Sequence, residues 1–127
     1  MKSIKDAVTF ARLMEGKPAP GGEGHCEQFV REMYGLPAWA ASAKIAWEKT
    51  PLKYRNTKTP PPPGAMVYYP TLSQYGHVTL SVGGGQVATN DYCHKAAICL
   101  APWDLPNWKG STHYAGWSFW TPYGVAS

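Results

Sequence analysis

GHVTLSVGGGQVATNDY, residues 76–92, decides how the chain folds. Val78, Leu80 and Val82 alternate with His77, Thr79 and Ser81, three glycines follow, and a second alternating run starts at Gln86. Period-two alternation on both sides of a glycine turn predicts an antiparallel hairpin with one apolar and one polar face. If all three glycines form the loop, Val82 pairs with Gln86 and the count sets Asp91 opposite His77, with Cβ atoms about 5 Å apart. A loop of two or four residues turns Asn90 toward the histidine instead, because a one-residue shift flips every side chain.

Outward from this hairpin the pattern separates into helices before and strands after. Four prolines at 60–63 discourage a helix, so GAMVYYP, residues 64–70, reads as a strand. AICLAPW, 97–103, and HYAGWSFW, 113–120, predict two more short strands, joined by the loop DLPNWKGST, 104–112. Toward the N-terminus, Ser3 and Asp6 form a capping box for a helix whose apolar face is Ile4, Ala7, Val8, Ala11 and Met14, ending at Gly16. After the breaker-rich KPAPGGEG, Cys26, Phe29, Val30 and Met33 mark a second helix, stopped by Gly35. Pro37 opens a third, PAWAASAKIAWEK. The expectation is an α+β fold, a single domain over 1–127, with a helical part at about 1–50 packed on a small antiparallel β-sheet at about 64–123.

Composition narrows the function. One core suffices for 127 residues, and thirteen glycines with twelve prolines fit many turns rather than a helical bundle. A net charge of +4 without a lysine or arginine run gives no nucleic-acid footprint, though it suits a polyanionic surface such as a bacterial wall. No apolar run is long enough for a membrane span or signal peptide, so no membrane association is expected and export takes another route. Three cysteines make no disulfide framework; Cys93 and Cys99 either pair or stay as buried thiols. Cys93, His94, Cys99 and His113 do not fit a zinc ligand spacing, so neither a metal nor a cofactor is expected.

EGHCEQFVREMYG, residues 23–35, raises the chemical question. Cys26 opens a helix, where free amides and the helix dipole stabilise a thiolate; it also falls on the apolar face, where a cysteine simply fills the core. His77 opens a strand and projects to its polar side, as a surface histidine or as a base. A helix packed on that side would bring Cys26 within about 3 Å of the imidazole, the reach of an activated pair. Asp91, or Asn90 in the other register, would orient the ring. His25 either tunes the thiolate or faces solvent.

Together, GHCEQFVREMYG, PPPPGAMVYYP and YGHVTLSVGGGQVATND resemble the CHAP and NlpC-type cell-wall hydrolases, papain-like cysteine amidases and peptidases, over residues 24–92, and HYAGWSFW resembles the last strand of related phage lysins. The resemblance implies a papain-like fold and a peptidoglycan hydrolase cutting an amide of the stem peptide or cross-bridge. It implies Cys26 as nucleophile, His77 as base, and Asp91 or Asn90 as the third member. It further implies a monomeric phage endolysin or its catalytic domain, made in the host cytoplasm, released by a holin or another route, and acting at the bacterial cell wall. Two alternatives stand beside it. Six tryptophans and eight tyrosines would suit a noncatalytic wall-binding module that stacks on sugars, with Trp103 and Trp108 rimming a groove. An interbacterial effector of the same fold would use the same chemistry.

Overall fold

The computed structural model describes residues 1–110 and 113–127. The last two positions of the expected 104–112 loop lie outside the described residues. Among the described residues, the α-helices α1 (Ile4–Leu13), α2 (Cys26–Met33) and α3 (Ala43–Lys49) and a 3-10 turn (Leu52–Tyr54) precede the strands β1 (Met66–Tyr69), β2 (His77–Gly83), β3 (Gln86–Asn90), β4 (Ile98–Pro102), β5 (Gly116–Ser118), β6 (Trp120–Thr121) and β7 (Gly124–Val125). The first five form one antiparallel sheet in the order β4-β3-β2-β1-β5, and β6 pairs with β7 in a separate ribbon. The fold is therefore α+β, with helices first.

Each helix is set by local chemistry. The Ser3 hydroxyl accepts from the Asp6 amide at 3.1 Å, capping α1, while Ala7 and Ala11 let it approach β2 closely. The apolar face of α2 is Cys26, Phe29, Val30 and Met33, all buried, and Gly35 ends it at φ +68. The third helix starts at Ala43 rather than Pro37. Ser42 is extended (φ −155) and its hydroxyl accepts from the Ile45 amide, a stronger start signal than proline. The chain from Ala38 to Ala41 is thereby left outside the helix, free to wall a cavity.

The central hairpin turns through Gly84 and Gly85, both at positive φ, with Gly83 paired to Gln86. A bulge between Ser81 and Gly83 restores the residue that the short turn removes. Beyond it Leu80 pairs with Ala88, the same register that a three-residue loop would give.

Both faces of β2 are buried. On one, Val78, Leu80 and Val82 pack with Phe29, Val30, Tyr68 and the alanines of α1. On the other, Val67, Tyr69 and Val87 pack under Trp103, Trp108, Tyr114 and Trp117. The helices lie on the apolar face of the hairpin, not on the face carrying His77. Loop aromatics cover that second face. Cys93 and Cys99 form a disulfide across the β3–β4 connection, leaving Cys26 as a free thiol.

Candidate active site

Cys26 and His77 line one cleft at the end of the sheet rather than facing each other across it. Cys26 is the first residue of α2, which packs against β2, and His77 is the first residue of β2. Both line a cleft of about 210 Å³, together with Leu72, Tyr75, Asp91 and Trp108. Cys26 also lines a second cavity of about 390 Å³, together with Ala38, Ala40, Ala41, Ala43, Glu27 and Arg31. The two share Gly24, Cys26, Tyr75 and Gly76. Cys26 thus belongs to both arms of a two-armed groove, as does Tyr75, 64% exposed.

His77 is 4% exposed, and its tautomer follows from its neighbours. The Thr89 hydroxyl donates to the Asn90 carbonyl at 3.1 Å, so its oxygen accepts from His77 Nε2–H at 2.8 Å. That assigns the proton to Nε2 and leaves Nδ1, which has no hydrogen-bond partner among the described residues, as the basic nitrogen. Tyr69 and Trp108, the latter nearly perpendicular to it, flank the ring at centroid separations of 5.8 and 4.8 Å. Burial and then the positive charge of Lys109 pull the imidazole down to about 3.

Thr89 therefore occupies the position expected for Asp91 or Asn90. Asp91 leaves the sheet at φ +67, and its carboxylate accepts from the Gly24 amide at 2.9 Å and the Ala96 amide at 2.7 Å. Asn90 lies fully buried, and among the described residues neither side-chain amide atom is bonded; its main-chain carbonyl accepts from Thr89. A sequence signal for Thr89 existed. With Leu80 opposite Ala88, Thr79 faces Thr89, which is a diagonal neighbour of His77 on the same face.

The sulfur of Cys26 is a thiol at neutral pH. Burial pushes it up to about 11; the backbone amides of Val78 and Glu27 work against that, and the charges of Asp91 and Glu27 add to it. Desolvation thus outweighs the helix N-terminus. No hydrogen bond joins Cys26 to His77, so the resting pair is a neutral thiol beside a neutral imidazole. His25, the residue before α2, bonds through Nδ1 to the Glu23 carbonyl at 2.9 Å. Glu27, lining the larger arm, is raised by burial and partly restored by Arg31, 3.5 Å away.

Among the described residues no group of three histidine, cysteine or acidic side chains could hold a metal ion, and no helix is long and apolar enough to cross a membrane. No family model matches the chain, and no curated protein matches it.

Proposed function

We propose that the chain is a papain-like cysteine hydrolase of the CHAP/NlpC type, cutting an amide bond of peptidoglycan as a phage endolysin or its catalytic domain. One observation carries this reading: Cys26 and His77 line the same cleft, and the histidine, its Nδ1 unprotonated, is held by a buried hydroxyl. The wall substrate comes from the sequence resemblance, and the groove is compatible with an extended peptide.

Because both groups rest uncharged, proton transfer accompanies attack instead of preceding it. His77 Nδ1 takes the thiol proton as sulfur adds to the amide carbonyl, and the Cys26 backbone N–H, without an intrahelical acceptor in the first turn, faces the developing oxyanion. The imidazolium then protonates the leaving amine, and water hydrolyses the thioester. Since His77 lies in the smaller arm, the amine fragment belongs there. The acyl fragment belongs between α2 and the alanine wall. Thr89 takes the orienting role, holding the tautomer throughout.

The buried thiol, its lack of a bond to His77 and the exposed rings of Tyr75 and Tyr123 favour a second reading, a noncatalytic wall-binding module. Release of dye from labelled sacculi separates the two. Wild-type protein should release it while Cys26→Ala and His77→Ala do not; binding to sacculi without release by any of the three would support the module.

A further inference from the structure

The loop carrying the nucleophile has little secondary structure of its own, yet a second loop fixes it at many points. Residues 17–24 run from α1 to α2 with glycines at positive φ at 21, 22 and 24. Against them lies the β3–β4 connection, 91–97. The Ala19 amide donates to the Ala96 carbonyl, the Ile98 amide to the Lys17 carbonyl and the Gly16 amide to the Ile98 carbonyl, and Pro18 bridges Ala97. At the far end of this seam the Asp91 carboxylate joins both loops, one oxygen on Ala96 and the other on Gly24, two residues before Cys26. The Cys93–Cys99 bond ties the same connection to β4.

We propose that Asp91 is a positioning residue for the nucleophile: its carboxylate, two residues before the ring that the Cys93–Cys99 disulfide closes, holds the Gly24–Cys26 turn in register with His77. This rests on the reading of Cys26 as nucleophile, and it moves Asp91 from the histidine to the cysteine side of the site. Two acceptor oxygens are needed, because two amides converge on one carboxylate. The left-handed backbone suits aspartate and asparagine alike, so Asp91→Asn adds no backbone strain. It replaces one acceptor oxygen with an NH₂ that cannot accept, releasing Gly24 or Ala96.

Asp91→Asn separates this role from a purely electrostatic one. Removing the negative charge beside Cys26 makes the thiol more acidic, so iodoacetamide should alkylate it faster at pH 8 to 9. If Asp91 acted only as a charge, peptidoglycan hydrolysis would rise or hold with that rate. The proposal expects hydrolysis to fall about tenfold despite faster alkylation, the scale of losing one charge-assisted hydrogen bond. The Gly24 or Ala96 amide should exchange hydrogen faster by NMR while the Leu80 amide does not. Hydrolysis maintained, or exchange unchanged at both amides, would overturn it.

The disulfide arm uses the same assays. Dithiothreitol gives two electrons and two protons to the Cys93–Cys99 bond, leaving two thiols and the cyclic disulfide of the reagent; Cys93→Ser with Cys99→Ser reaches the open loop without a reductant. Both should speed exchange at Gly24, and the loss in the Ser pair combined with Asp91→Asn should be less than the sum of the separate losses, as for members of one unit. Full additivity would contradict the shared role. Should wild-type protein cleave no peptidoglycan, the hydrolase reading fails, while the exchange measurements still decide whether Asp91 and the disulfide hold the turn.

Discussion

His77 gathers most of the chemistry at the scale of single residues. Its ring is enclosed by Tyr69, Trp108 and Thr89, and one nitrogen is committed to the threonine. Replacing Thr89 by Val keeps the shape and removes the acceptor, stranding Nε2–H in the core; a buried donor without a partner loses about 1–3 kcal/mol. We expect kcat to fall roughly ten- to hundredfold, with Thr89→Ser restoring most of it. Equal activity in the Val and wild-type proteins would remove Thr89 from the site. Burial of the neutral imidazole also links stability to pH. An unfolded chain takes up a proton near 6.5 that the folded chain refuses until about 3, so His77 favours the fold above 6.5 and that contribution drains as pH falls between the two values. The limiting slope is about 1.4 kcal/mol per pH unit. Urea unfolding from pH 7 to 4 should show a steeper decline for wild type than for His77→Gln.

Among the elements, the junction of α2 with β2 sets the distance between sulfur and imidazole. Phe29, fully buried one turn after Cys26, anchors that helix to the sheet. Phe29→Ala should lower unfolding free energy by about 3–5 kcal/mol in denaturant titration; a loss under about 1 kcal/mol would mean that the helix is held elsewhere. This scale also separates what the sequence discloses from what it hides. The α1 cap, the apolar stripe of α2 and the alternation of β2 are local signals, and each element lies where its pattern puts it. The start of α3 is also local, but proline and serine compete for it and the hydroxyl wins. Which layer covers which face of β2 is not local. A polar strand face next to a helical pattern invites a helix, yet the aromatic loop at 103–108 supplies the cover. The partner of His77 was hidden for the same kind of reason. Gly83, not the expected Val82, pairs with Gln86, and a bulge then brings the strands to the expected register from Leu80 onward; Asp91 turns out of the sheet and a diagonal neighbour takes its place.

For the whole molecule, the sheet is buried on both sides around β2, and the groove runs across the end where α2, β2 and the 71–76 turn converge. Cys26 belongs to both arms, so a bound chain spanning them must pass the sulfur. That placement is the central claim, and digestion of purified peptidoglycan tests it most directly, with new termini identified by mass spectrometry for wild type and Cys26→Ala. The account predicts new amino termini on stem or cross-bridge residues, or freed lactyl carboxyls on the sugar, from wild type alone. The same termini from Cys26→Ala, or none from either protein, would contradict it.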